Sequence, residues 1–310
     1  MRSLFLAALF LVFSVQIARA EPSNHEEQKI TVNGAERSYL IHYPNPMPTK
    51  ITSGLPVVIA LHGGGGNGEQ MAKSSRFNAK ADKAGFIAVY PNGSGRRDDK
   101  LLTWNARKCC AYAMRQNIDD IAFIDALIDK LVKFQGADPK RIYITGMSNG
   151  GMMAHRLGAA LAPKVAAIGV VAGTIFSDQP IPSVPVSTIM IHGLADDSVP
   201  FNGGESKRPM IRAAMDSAGL PIKSVYDFWR KNNGCAVDED IYTKGNITTY
   251  SSKVCKNRTV VSLQTIKNGG HNWPGSPKAI YNEFDDGSSY FGHDATDVLW
   301  DFFANQRKYP

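Results

Sequence analysis

The segment Arg141–Leu157, RIYITGMSNGGMMAHRL, constrains the fold more tightly than any other stretch of this chain. An apolar run, Ile142–Thr145, climbs into Gly146-Met147-Ser148-Asn149-Gly150-Gly151, and helix-forming residues follow at once. G-x-S-x-G between a strand and a helix describes a turn so tight that its serine takes an unfavourable backbone conformation. Side chains two positions away on either side would collide. Gly146 and Gly150 remove those collisions, and Gly151 lets the helix pack close to the sheet. Ser148 is then thrust out over the sheet edge. The next amide, that of Asn149, opens a helix, where unpaired N–H groups and the helix dipole favour incoming negative charge. A glycine-rich turn holding an incidental serine would share the pentapeptide, so the rest of the chain has to decide.

Strand and helix signals alternate along the whole sequence. Strand-like runs fall at 29–32, 37–43, 56–61, 86–90, 141–145, 166–171, 188–191 and 260–266. Several, such as PVVIAL at 56–61, are continuously apolar, as expected of strands buried on both faces. Helical spacing of apolar residues marks 68–84, 119–134, 149–162 and 294–307. Tyr226, Phe228 and Trp229 read as the core face of a further helix. Alternation of this kind predicts an α/β fold, a mostly parallel central sheet with helices on both faces. In such sheets, ligands bind beyond the carboxyl ends of the strands.

A serine hydroxyl is a weak nucleophile that needs a base, and the base needs an orienting acid. On this architecture the chain order is serine, then acid, then histidine. IMIHGLADDSVP at 189–200 places Asp196 and Asp197 just past a strand, and the HG-x-x-D spacing selects Asp196, with Asp197 as the alternative. IKNGGHNWPG at 266–275 places His271 past the last strand, on a loop loosened by glycines. Acyl transfer also needs two donors for the tetrahedral oxyanion. Asn149 supplies one amide. LHGGGG at 61–66 is the loop expected to supply the other, from Gly64 or, next in order, Gly65. His62 reads as a brace for that loop.

The first twenty residues differ from the rest. Arg2, an apolar stretch from Leu4 to Val15 and Ala18-Arg19-Ala20 form an export signal too short for a membrane span, which leaves 21–310 as a single catalytic domain. Export makes oxidation of Cys109, Cys110, Cys235 and Cys255 the expectation. Cys235 and Cys255 flank one polar strand-like segment and are expected to pair, which leaves Cys109-Cys110 as a vicinal bridge or two thiols. The formal charge of +7 includes Arg2 and Arg19, and the remaining basic residues are scattered, which argues against nucleic-acid binding. The seven histidines are dispersed, and no His/Cys spacing suits a metal. No segment after the signal could span a membrane, and a monomer is expected.

Taken together, LHGGGGN, TWNARKCCA, NIDDIAFIDALID, GMSNGGMMAHRL, HGLADDSVP and GGHNWPG, in this order over residues 35–305, resemble the secreted esterases of the polyhydroxybutyrate depolymerase-like and feruloyl or acetylxylan esterase-like group. The resemblance implies an α/β-hydrolase fold, no cofactor, and a triad of Ser148, Asp196 and His271. It also supports the Cys235–Cys255 pair. Depolymerases of solid polymer resemble a catalytic domain joined to a linker and a substrate-binding domain. This chain ends soon after its final helix, so soluble esters are the expected substrates. Arg107 and Lys108 stand where smaller residues are expected, at the cleft mouth.

Trp104 and Trp273 are the candidate substrate contacts, because an aromatic beside the catalytic histidine can stack on a feruloyl ring or a sugar. Asn117 and Asp120 read as helix-start caps. Asn92, Asn246 and Asn257 begin N-x-S/T sequons. G-x-S-x-G-G also resembles the prolyl-oligopeptidase pattern, but the chain has no room for the large extra domain of such a serine peptidase. A non-enzymatic binding protein on the same fold would be expected to lose a triad member, and none is missing.

Overall fold

The structure is a computed structural model and describes residues 25–51, 53–97, 100–277 and 292–308. The export signal and part of the 273–293 loop lie outside the described residues. Ten strands form one sheet: β1 (Glu26–Val32), β2 (Ala35–His42), β3 (Leu55–Leu61), β4 (Ile87–Pro91), β5 (Ala137–Met147), β6 (Ala167–Val171), β7 (Ser187–Gly193), β8 (Asp240–Lys244), β9 (Ile247–Ser252) and β10 (Val261–Ile266). Their spatial order is β1-β2-β4-β3-β5-β6-β7-β10-β9-β8. The six strands from β4 to β10 in that order run parallel. Antiparallel strands close both edges. All strands recognised in the sequence occur. The polar segment between Cys235 and Cys255 is a hairpin, β8–β9, turning at Gly245-Asn246.

The period-two geometry of a strand explains the PVVIAL run. Val57, Ile59 and Leu61 enter one core layer, while Val58 and Ala60 enter the other, so every position is buried. The first layer is covered by α4 (Asp120–Phe134), α5 (Asn149–Ala160) and α7 (Ile222–Asn232). Tyr226 and Trp229 of α7 are fully buried there, as expected, and Phe228 packs against them half-buried. The second layer is covered by α1 (Gly68–Ser75), α2 (Phe77–Ala84) and α8 (Ala295–Phe303). Two short helices, α3 (Ala111–Arg115) and α6 (Pro209–Ala213), lie in the connecting loops and, at five residues each, are too short to show a period.

Two sequence expectations are corrected. The helix expected over 68–84 is two helices. Arg76 between them has φ +56°, and the Ser74 and Ser75 hydroxyls donate back to the carbonyls of Gln70 and Met71, competing with the helical ladder. Arg76 pairs with Asp294, the N-cap of α8, and so joins the two helical segments of that layer. The cap of α4 is neither Asn117 nor Asp120 but Asp119, whose side chain accepts from the Ala122 amide. Asn117 instead accepts from the Asn105 side chain at 3.4 Å.

The sulfurs of Cys235 and Cys255 are bonded, with χ3 of 99°. Cys109 and Cys110 form a vicinal disulfide. Among the described residues, no helix is long and apolar enough to cross a membrane.

Candidate active site

Ser148 sits between β5 and α5 with φ +55° and ψ −122°, a region that side chains rarely occupy. The glycines explain how it is held there. A Cβ on Gly146 would lie 2.5 Å from the Gly150 carbonyl, and one on Gly150 would strike the carbonyls of Leu61 and His62. The Ser148 amide is anchored on the Val171 carbonyl of the neighbouring strand at 2.9 Å. Its own carbonyl accepts the first helical bond, from Met152. The Asn149 amide is therefore the first of a helix and has no partner within it.

The loop after β7 carries Asp196, which is 3% exposed. One carboxylate oxygen accepts from the amides of Ser198 and Val199, each at 2.8 Å. The other accepts from His271 Nδ1 at 2.8 Å, with His192 Nε2 at 3.4 Å. Burial alone would raise this carboxyl's pKa, but the charge and hydrogen bond of His271, the His192 ring and the Val199 amide outweigh it and hold the pKa below the ordinary value. Asp197, the alternative acid, instead pairs with Lys207 at 2.7 Å on the surface.

His271 follows β10, and the glycines near it tighten its loop. The Ala195 amide donates to the Gly269 carbonyl at 2.9 Å, and the Leu194 amide to the Ile266 carbonyl at 3.0 Å. A Cβ on Gly193 would lie against Gly269, with the Gly270 oxygen 2.6 Å away. The absence of side chains thus brings the loop of the acid and the loop of the histidine into backbone contact.

The glycine loop at 63–66 lies across the elbow. A Cβ on Gly63 would stand 3.7 Å from the Ser148 Cβ, and one on Gly64 would stand 3.6 Å from the Asn149 Cβ. Gly65 donates its amide to the Leu102 carbonyl at 2.8 Å, and Gly66 donates to Gly63 at 3.0 Å. The Gly65 amide, the alternative donor named from the sequence, is thereby committed to Leu102. His62 lies beneath the loop. Its Nδ1–H donates to the Gly63 carbonyl at 2.8 Å, and its Nε2 accepts from the Gly93 amide at 3.0 Å. These bonds assign the tautomer. Burial lowers its pKa to about 4, so the ring is neutral.

Trp104, a candidate substrate contact from the sequence, packs inside the protein. It is fully buried, and its indole N–H donates to the His62 carbonyl at 3.0 Å. The indole bonds inward to a backbone carbonyl 42 residues away, a partner no local pattern signals. Trp273 is 2% exposed, and its N–H donates to Thr296 Oγ1 at 3.1 Å. It also lines a cavity of about 340 Å³, with the His62–Gly66 loop, Gln70, Met71 and Met147. Arg107, expected at the cleft mouth, pairs with Asp178 at 2.8 Å. Asn92 is not a free sequon: its side chain accepts from the Gly68 amide and donates to Ser38 Oγ. Among the described residues, no group of three or more His, Cys, Asp or Glu is placed to hold a metal.

Residues 38–206 match the family described as Esterase PHB depolymerase. The NocK protein of Nocardia uniformis subsp. tsuyamanensis, which carries an esterase name, is 30% identical over 263 residues, 80% of this chain and 74% of its own. Feruloyl esterase B of Piromyces equi is 28% identical over 221 residues, 70% of this chain and 39% of its own, so the chain spans well under half of that relative. The solved acetyl xylan esterase from Aspergillus awamori superposes with a TM-score of 0.58 over 90% of this chain and 99% of that one. At 15% identity that likeness bears on the fold, which is the α/β-hydrolase fold expected from the sequence. The match over more than half of the chain, on a sheet with a strained serine elbow at its edge, makes this protein a carboxylic ester hydrolase that belongs to the Esterase PHB depolymerase family.

Proposed function

We propose that the protein is a secreted serine esterase that works through an acyl-enzyme, with Ser148 as nucleophile, His271 as base and Asp196 as orienting acid. The observation that carries this reading is the 2.8 Å bond between His271 Nδ1 and a buried Asp196, on two loops at the ends of strands β7 and β10. With Nδ1–H committed to the carboxylate, Nε2 is the nitrogen that takes the Ser148 proton. Ser148 Oγ attacks the ester carbonyl, and the oxyanion is met by the amides of Asn149 and Gly64. His271 then returns the proton to the leaving alcohol. Water, deprotonated by the same nitrogen, releases the acid and regenerates Ser148.

The substrates proposed are soluble esters: feruloyl or acetyl groups on polysaccharide fragments, or short hydroxyalkanoate oligomers. The names of the relatives support the first pair. The cavity of about 340 Å³ beside Trp273, Met71 and Met147 offers an apolar slot with an aromatic edge, suited to a planar acyl group. Secretion is supported by the apolar leader at 4–15 and by the Cys235–Cys255 disulfide.

The test is initial rates on methyl ferulate and on a soluble 3-hydroxybutyrate oligomer, with Ser148→Ala as control. Turnover of ferulate that the variant loses supports the feruloyl assignment. Faster turnover of the oligomer moves the substrate to polyester fragments. Activity retained by Ser148→Ala overturns the acyl-enzyme reading.

A further inference from the structure

Asp120 opens α4, yet it does not cap it, and it is fully buried. One carboxylate oxygen accepts from Arg37 at 2.8 Å, and the other accepts from the backbone amide of Asn105 at 2.8 Å. Arg37 lies over the Phe123 ring and also donates to the Asn92 carbonyl at 3.2 Å. On its other side, Asn105 gives its carbonyl to Arg156, which belongs to the helix that begins at the nucleophile. The Asn105 side chain donates to the Ile118 carbonyl at 2.9 Å, just before α4. Amide, carbonyl and side chain of this one residue are therefore all held.

The residue before it connects this grip to the site. Trp104 donates its amide to Asn149 Oδ1 at 2.7 Å, and its carbonyl accepts from Asn149 Nδ2 at 3.0 Å. Its indole N–H donates to the His62 carbonyl, at the root of the glycine loop. The two-residue strap Trp104–Asn105 thus touches both halves of the proposed oxyanion hole and is fastened to Asp120 behind them. Burying a carboxylate is costly even when it is paired, and an apolar side chain could fill the same volume. A hydrogen-bonded charge supplies something that volume alone does not, which is a fixed position for the Asn105 amide.

We propose that Asp120 is a positioning residue of the oxyanion hole: through the Trp104–Asn105 strap it fixes the Asn149 amide relative to the Gly63–Gly64 loop. This rests on the reading of those amides as the oxyanion donors. Displaced donors weaken binding of the tetrahedral state while leaving ground-state ester binding almost untouched, so the loss falls on kcat rather than on KM.

The experiment uses the full protein with Asp120→Ala, Asp120→Asn and Trp104→Phe, each checked for native circular dichroism. For each, kcat and KM on 4-nitrophenyl acetate are measured, with the inhibition constant of a trifluoromethyl ketone whose serine adduct carries an alkoxide. The expected result for Asp120→Ala is a kcat ten- to a hundredfold lower, KM within twofold, and ketone binding weakened by the same factor as kcat. Asp120→Asn, which keeps an acceptor for the Asn105 amide, recovers part of both. Folded variants with kcat and ketone binding within twofold of wild type overturn the proposal, as does a kcat loss without a matching loss of ketone binding. If Asp120→Ala does not fold, Asp120→Asn and Trp104→Phe decide by the same criterion. Ser148→Ala separates the two levels. If it retains activity, the esterase mechanism falls and this inference with it. If it is inactive, the Asp120 variants test the strap alone.

Discussion

Asp196 spends both carboxylate oxygens on orientation. Two backbone amides fix one oxygen, and His271 takes the other. Asp196→Asn would keep the shape but place an amide where the imidazole now donates, favouring the wrong tautomer of His271. The expected outcome is a fall in kcat of about ten-thousandfold with the fold intact. Steady-state kinetics beside a thermal melt would check it, and a kcat within tenfold of wild type would exclude Asp196 as the orienting acid. The elbow at Ser148 and the pairing of Asp196 with His271 were legible because each of the three follows an apolar run, in the chain order that a serine, an acid and a base would take. Asp120 and Trp104 were not, because their partners, Arg37, Asn149 and His62, lie far from them in sequence. Local spacing offered Asp120 only the role of a cap, which its neighbour Asp119 fills.

Among the elements, the loops after β7 and β10 depend on each other more than on their own residues. Gly193→Ala would force the Gly269–Gly270 backbone, and with it His271, away from Asp196. A shift of about 1 Å at a catalytic base is enough for a kcat loss on the order of a hundredfold. Gly245→Ala, in the β8–β9 turn, is the matched control. Its φ is +59°, but nothing lies within 4 Å of the new Cβ. It should cost about 1 kcal/mol of stability through backbone strain and leave kcat unchanged. Equal loss of activity in the two variants would mean that glycine strain, not loop contact, governs the site. This distinction was hidden in the sequence, where GGH after a strand reads as a loosened loop. What the glycines permit is close approach, and only the facing backbone reveals that. The break at Arg76 was hidden for a similar reason: apolar spacing continues across it, while the bond that fixes it comes from Asp294.

At the scale of the whole molecule, the parallel sheet was legible because its central strands are apolar on both faces, and that same burial sets the pH dependence. His62 lies under the glycine loop with its pKa lowered to about 4 by burial, and the charge of Arg37 acts in the same direction. His155 of α5 is lowered to about 3 by burial, with His192 nearby. His192 itself is lowered by burial. His62 and His155 stay neutral in the folded protein down to those values, His192 is shifted in the same direction, and each ring takes a proton near pH 6.5 when unfolded. The stability they contribute is therefore complete above about pH 6.5 and is lost as pH falls towards the folded values. Asp120 acts in the opposite sense. Burial raises its folded pKa, so the stability it contributes is present below the unfolded value near 3.9 and is lost as pH rises through the folded value. Burial lowers His293 as well, so one raised carboxyl opposes four lowered imidazoles and the net slope keeps the sign of the histidines. His62 and His155 each contribute about 1.4 kcal/mol per pH unit between 6.5 and their folded values. Urea unfolding at pH 7 and pH 5 should thus differ by several kcal/mol in favour of pH 7, and His62→Gln should flatten the slope by one proton. An unchanged midpoint between the two pH values would mean that these rings take up protons in the native state as readily as in the unfolded chain. Native His62 takes its proton only near its lowered value of about 4, so the brace it gives the glycine loop by accepting from the Gly93 amide should hold through the window in which the fold loses stability and weaken only below it.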